Sequence, residues 1–211
     1  MCQQMNEPSL FDKPDTFKPT GNNILPKDGE ALFFPNYFSQ ADSNRLLKSL
    51  TDNILWQQDQ IKMYGKTINL PRLTAWYGAD DLTYTYSGIQ MKPNAWTADL
   101  LEIKNKIEQE AKVEFTGVLL NLYRNGRDSM AWHCDDEPEL GKNPVIGSVS
   151  FGATRTFRFR HLQDKIVEKV ALSHGSFILM QGATQHNWEH EIPKTSKPLS
   201  PRINLTFRVI K

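Results

Sequence analysis

With 211 residues the chain is long enough for one domain with a sizeable core. Its charge balances to +1, which excludes a polybasic tail as the main means of binding but leaves room for a local basic face. The two cysteines, Cys2 and Cys134, lie far apart, so there is no disulfide framework, and this suits a reducing compartment. No apolar signal segment opens the chain and no run is long enough to span a bilayer. The expectation is a soluble, intracellular monomer with no membrane partner, in the cytoplasm of a bacterium or the nucleus of a eukaryote.

Residues 1–28 are rich in Pro, Asn, Gln and Lys without periodicity and read as a flexible arm. Within it, PSLF has the form of a short docking motif for a partner. Order begins at ALFFPNYF. SQADSNRLLKSLTDNIL then sets Leu46, Leu47, Leu50 and Ile54 on one helical face, with Ser39 as N-cap. PNAWTADLLEIKNKIEQEAK repeats that pattern with Trp96, Leu100, Ile103 and Ile107. Past residue 112 the texture changes to short β-branched and aromatic runs, separated by Gly, Pro or Asn: GVLLNLYR, VIGSVSFG, TRTFRFRH, KIVEKVALS, GSFILMQG and PRINLTFRVIK. In TRTFRFRH, alternation turns Phe157 and Phe159 inward and Arg158 and Arg160 outward. The fold class is mixed α+β, mainly β: N-terminal helices packed on a sandwich or jelly-roll core. Residues 29–211 read as a single domain.

The stretch AWHCDDE, residues 131–137, raises the question of chemistry. It is either an exposed acidic turn or part of a metal site. His133 and Asp135, at i and i+2, project to one side of an extended segment. Two histidines and a carboxylate form the facial triad of non-haem Fe(II) oxygenases, so a third ligand must come from a distant strand. QHNWEHEIP offers His186 and His190. On the C-terminal strand, Arg202, Asn204, Thr206 and Arg208 share a face. They either meet water or turn inward toward an anion such as a dicarboxylate. Asn121 and Tyr123 in NLYRNG add two more polar groups at i and i+2.

In this order, N-x-Y, H-x-D, aromatic-x-H before a proline, and R-x-N-L-T-F-R resemble the AlkB family of Fe(II)- and 2-oxoglutarate-dependent dioxygenases, closest to its DNA-repair members. HCDDEPELG, SVSFGATRTFRFRH and LTYTYSG are similar to the same group, and the likeness spans about residues 30–211. The resemblance implies a double-stranded β-helix core and a catalytic domain with a nucleotide-recognition lid near residues 60–90. It implies that His133, Asp135 and His190 bind Fe(II), with His190 preferred to His186. It implies that Arg202 clamps the distal carboxylate of 2-oxoglutarate, that Arg208 supports the metal-proximal end, and that Asn121, Tyr123 and Asn204 complete the site. His161 and His174 have no implied role and read as surface or strand-end residues.

The activity so implied is oxidative dealkylation of bases such as 1-methyladenine and 3-methylcytosine in single- or double-stranded DNA, using O2 and releasing formaldehyde. An RNA base demethylase and a non-catalytic metal-binding nucleic-acid module are the alternatives. A base within a duplex must leave the stack to be reached. By resemblance, Tyr86 stacks on that base opposite His133 and Tyr84 adds a hydrogen bond. Asp136 and Glu137 are candidates for meeting the positive charge of an alkylated base. Tyr64 in MYGK occupies the place of an aromatic finger that wedges into duplex, where the duplex-preferring pattern has phenylalanine. Arg72, Arg124, Arg127, Lys142 and Arg155 are candidate phosphate contacts.

Overall fold

The computed structural model describes residues 21–63, 65–79, 84–86, 89–91 and 93–211. In chain order the elements begin with β1 (Asn22–Asn23), β2 (Glu30–Phe34) and helix α1 (Gln40–Asn53). Next come β3 (Gln60–Met63), β4 (Lys66–Asn69), β5 (Leu73–Gly78), β6 (Tyr84–Tyr86), β7 (Ile89–Met91) and helix α2 (Ala98–Ala111). The second half holds β8 (Gly117–Tyr123), β9 (Met130–His133), β10 (Ile146–Gly152), β11 (Arg155–His161), β12 (Val167–Leu172) and β13 (Ser176–Gln181). It closes with the four-residue helix α3 (Thr184–Asn187), β14 (Trp188–Ile192) and β15 (Arg202–Arg208).

Both long helices start where the sequence carries a cap. The Ser39 hydroxyl accepts the Asp42 amide at 3.1 Å, and the Thr97 hydroxyl accepts the Leu100 amide at 3.3 Å. Helix α2 is shorter than its pattern suggested: Trp96 lies before the cap, stacked on Phe207 with ring centroids 6.4 Å apart. Its end is a left-handed Lys112 (φ 56) whose amide donates to the Glu108 carbonyl.

Among the described residues, one sheet runs β1-β2-β13-β10-β15-β8-β5 and a second runs β12-β11-β14-β9. Every strand expected from residue 117 onward is present. Because side chains alternate, the seven-stranded sheet has two faces with different partners. Val118, Leu120, Val149, Phe151, Ile203, Leu205 and Phe207 pack on Leu46, Leu50, Leu100, Ile103 and Ile107 of the helices. The other face turns Ile146, Ile178 and Met180 toward Phe157, Phe159, Trp188 and Ile192 of the four-stranded sheet. Two facing antiparallel sheets with helices on one outer face form the jelly-roll with packed helices that the sequence implied. Phe157 and Phe159 are buried while Arg158 and Arg160 are half-buried on the opposite side, as the alternation required.

One expectation needs correction. Residues 21–28, read as the end of the arm, belong to the folded body: Asn22 and Asn23 pair with Phe33 and Leu32, and Leu25 is buried. Residues 1–20, with PSLF, lie outside the described residues. His161 ends β11, a strand-end residue as expected, and is buried edge-on against Trp188. His174 is half-buried; its Nδ1 accepts the Gly152 amide at 2.9 Å.

Residues 60–91 hold two small hairpins among the described residues, β3–β4 and β6–β7. Met63 pairs with Lys66, and Gly65 between them has φ 74 with open space where a Cβ would sit. A tight turn at that φ is why glycine stands there. Tyr64 is outside the described residues, and so are the side chains of Tyr84 and Tyr86.

Phe207 is fully buried between the sheet and α2, against Trp96 and Phe115. Phe207→Ala is expected to cost about 3–5 kcal/mol, read as a lower urea midpoint at unchanged slope.

Candidate active site

The pairing of the four-stranded sheet brings two histidines together. Strand β14 lies beside β9 with His190 opposite His133, and an irregularity follows between His190 and Ile192. The imidazole centroids are 4.2 Å apart. Asp135, two residues past His133, turns back under them. One ligand atom from each of His133, Asp135 and His190 falls within 4.8 Å of the others. His186 is exposed on α3 and takes no part.

Each member of this group is oriented by its surroundings. His133 Nδ1 lies 2.8 Å from the Ala131 carbonyl, so it carries the proton and donates it there. Its Nε2 lies 3.7 Å from Asp135 Oδ1. Asp135 is buried, 1% exposed, and its Oδ2 is 3.1 Å from Arg208 Nη2. Burial alone would raise this carboxyl, but the Arg208 guanidinium beside it holds it down at about 2. Burial and the neighbouring His133 push His190 down to about 3, so its imidazole is neutral at ordinary pH. The Phe157 ring, 5.2 Å away, covers it. Asp135 Oδ1 and His190 Nδ1 are buried with no hydrogen-bond partner among the described residues. Two imidazoles, one ionised carboxylate and a buried carboxylate oxygen without a hydrogen-bond partner among the described residues fit a divalent transition metal. The sequence's facial triad is therefore assembled.

Above this group lies the inner face of β15. Registry with β8 and β10 sets Arg202 opposite Tyr123, and Asn204 between Asn121 and Ser150. All of them are buried, and Arg202, Asn204, Arg208, Asn121 and Tyr123 line one cavity with the three metal-capable residues. Arg202, 1% exposed, donates from Nη2 to Ser150 Oγ at 2.9 Å and sits 5.1 Å from the Tyr123 ring centre. Its Nε and Nη1 are buried without an acceptor in bonding geometry among the described residues. Burial, partly offset by Tyr123, pulls the guanidinium down to about 10, so it stays charged at neutral pH. Asn204 is locked by bonds to Ser148 Oγ (2.8 Å) and the Val149 carbonyl (3.1 Å). A fixed, charged guanidinium facing a cavity with free donors is built for a carboxylate.

A second cleft opens from His133 toward the β3–β4 hairpin. Ile61, Ile68, Leu70, Pro71, Met130, Ala131 and Trp132 supply its apolar wall, and Arg72 and Glu137 its charges. Asp136 is exposed beyond it. Of the candidate phosphate contacts, Arg127 and Lys142 are exposed. Arg124 is held by Asp128 through Nε at 2.7 Å and Nη2 at 2.9 Å. Arg155 is buried, its guanidinium donating to the Asp128 and Pro193 carbonyls. Arg72 is also buried: its Nε donates to Asn121 Oδ1 at 2.7 Å and its Nη1 to the Ser129 carbonyl at 3.3 Å. Arg72 and Arg155 are therefore internal braces. Nothing in their local sequence marks them as such, because their acceptors come from distant strands. The Ser148 and Ser150 anchors were missed for the same reason, although their spacing on VIGSVSFG places both on one strand face.

If Arg72 is an internal brace, Arg72→Met is expected to destabilise the fold by about 1–3 kcal/mol, since Asn121 Oδ1 loses its donor. The salt dependence of oligonucleotide binding should stay unchanged; a shallower salt slope in the variant would mean that Arg72 meets phosphate.

Comparison with known proteins bears on the same residues. A family model described as the 2OG-Fe(II) oxygenase superfamily matches residues 30–208. Human alpha-ketoglutarate-dependent dioxygenase alkB homolog 3 is 39% identical over 218 residues, covering 97% of this chain and 73% of that protein. The human DNA oxidative demethylase ALKBH2 is 35% identical over 184 residues, covering 82% and 70%. A solved structure titled "The structure of OsALKBH1" aligns at a TM-score of 0.60 and 14% identity, covering 85% of this chain and 96% of that one, a likeness of fold alone. The chain belongs to the 2OG-Fe(II) oxygenase superfamily and, within it, to the AlkB-type dioxygenases that work with Fe(II), 2-oxoglutarate and O2.

Proposed function

We propose that this chain is a DNA repair enzyme that oxidatively removes alkyl groups from base nitrogens, with 1-methyladenine and 3-methylcytosine as substrate types. The observation that carries the reading is the junction at His133. The same residue belongs to the metal-capable triad and to the wall of the cleft running to the lid hairpin. A flat base lying in that cleft would bring its alkylated edge to the metal. The names of the relatives, a DNA oxidative demethylase among them, support the same direction.

In this reading His133, Asp135 and His190 hold Fe(II). With 2-oxoglutarate and O2, the iron supplies the oxidising power that hydroxylates a carbon attached to nitrogen. The residues of the chain do the rest. Arg208 keeps Asp135 ionised and aims its other oxygen at the metal position. Arg202, steadied by Ser150 and Tyr123, takes the distal carboxylate of 2-oxoglutarate. Asn121, Tyr123 and Asn204 line the path between. Phe157, Met130 and Ile192 keep bulk water from the triad. Glu137, on the cleft wall, faces the extra positive charge of an N-alkylated base. Once the carbon is hydroxylated, the N–C bond of the hemiaminal breaks, formaldehyde leaves and the base is restored. Tyr86 and Tyr84 stack on and hydrogen-bond the base, Asp136 assists at the rim, and Tyr64 wedges into duplex. The folded domain, from residue 21 onward, acts as a monomer, with residues 60–90 as its nucleotide-recognition lid. A module that only bound nucleic acid would have no use for a buried Arg202 facing a cavity.

Formaldehyde release from oligonucleotides carrying either lesion, single- and double-stranded DNA and RNA, tests the reading. Release should require Fe(II) and 2-oxoglutarate and vanish in His133→Ala. Succinate formed without formaldehyde from any oligonucleotide would discard the substrate class. Tyr64→Ala should weaken repair of duplex far more than of single strands; equal loss on both would remove the wedge.

A further inference from the structure

The amide of Asp135 lies beyond the end of β9, where no strand among the described residues pairs it. A buried main-chain N–H requires an acceptor. Here it comes from 50 residues away: the Asp135 N–H donates to Gln185 Oε1 at 2.9 Å. Gln185 is itself buried on α3, immediately before the strand that carries His190. Its Nε2 rests 3.7 Å from Met180 Sδ. The turn that presents it is secured in its own right. Its neighbour Thr184 is buried, accepts the Glu30 amide at 2.8 Å and lies 2.6 Å from the Gln181 carbonyl. Asp135 is thus held twice, by Arg208 at the carboxylate and by Gln185 at the main chain.

We propose that Gln185 is a positioning residue for the metal centre. It fixes the main chain of Asp135 so that Oδ1 faces His133 and His190 before any metal arrives. It also ties the placement of the carboxylate ligand to the turn from which His190 departs. The assignment rests on the reading of His133, Asp135 and His190 as the Fe(II) ligands. Metal affinity is sensitive to such supports, typically by 10–100-fold, because a ligand that must be ordered on binding costs free energy that a preset one does not.

Calorimetric titration with Mn(II), in the presence of 2-oxoglutarate, reads the effect without turnover. Gln185→Leu removes the acceptor, and Gln185→Glu keeps an acceptor oxygen at the same reach. The expected result is Mn(II) affinity lowered by about tenfold or more in Gln185→Leu, restored to near wild type in Gln185→Glu, with both metal-free proteins still melting cooperatively. Wild-type affinity in Gln185→Leu, or equal loss in both variants, would overturn the assignment. Asp135→Ala separates the two levels. If it binds Mn(II) as well as wild type, the triad falls and this assignment with it. If it loses Mn(II) while Gln185→Leu does not, only the role of Gln185 falls.

Discussion

The structure depends on charge placed where water does not reach. Strand β15 is buried along its whole length, yet it carries Arg202 and Arg208 on its inner face. A guanidinium removed from water is costly unless a partner meets it. Arg208 has the carboxylate of Asp135 at 3.1 Å. Arg202 has a hydroxyl and an aromatic ring, but no carboxylate pairs with it among the described residues. The strand is therefore prepared for an anion that the described residues do not supply, and a dicarboxylate co-substrate matches that demand.

Keeping those charges in place requires the rest of the fold. The outer face of β15, with Ile203, Leu205 and Phe207, is pressed on by the helices, so the strand has no freedom to roll its arginines toward solvent. Its neighbours β8 and β10 supply Tyr123 and Ser150 on the same face, which fixes Arg202 from both sides. The four-stranded sheet closes over the top and brings His133 and His190 into register above Asp135. One sheet thus carries the anion clamp, the other carries the histidines, and the Arg208–Asp135 contact joins them. At the margin of this arrangement, a cleft lined by Ile61, Ile68 and Trp132 runs from His133 to the β3–β4 hairpin.

What the sequence disclosed follows from the range of the interactions involved. Six strands of the C-terminal half are legible because alternation is local, whereas β9 and β14, which carry the histidines, show no such run. The same holds for the helix cap at Ser39; the Thr97 cap emerges only in the structure. His133 and Asp135 were legible as a pair two residues apart. His190 needed a family likeness to be preferred over His186, because which histidine reaches β9 depends on strand pairing. Arg202 and Arg208 were visible as a pair on one face, but alternation alone left open whether that face met water; both faces are buried because helices cover one and a second sheet the other. Arg72 and Arg155 were misread as surface cations because a buried arginine looks the same in sequence as an exposed one. Only its acceptors, Asn121 Oδ1 or the Pro193 carbonyl, reveal the difference.

The central claim is that one cavity holds two separable sites, a metal triad and an arginine clamp. Anaerobic calorimetry of Fe(II) and 2-oxoglutarate binding to wild type, Asp135→Ala and Arg202→Met tests it most directly. Asp135→Ala should lose the metal and most of the 2-oxoglutarate affinity with it, whereas Arg202→Met should keep the metal and lose 2-oxoglutarate. Undiminished 2-oxoglutarate binding in Arg202→Met would contradict it.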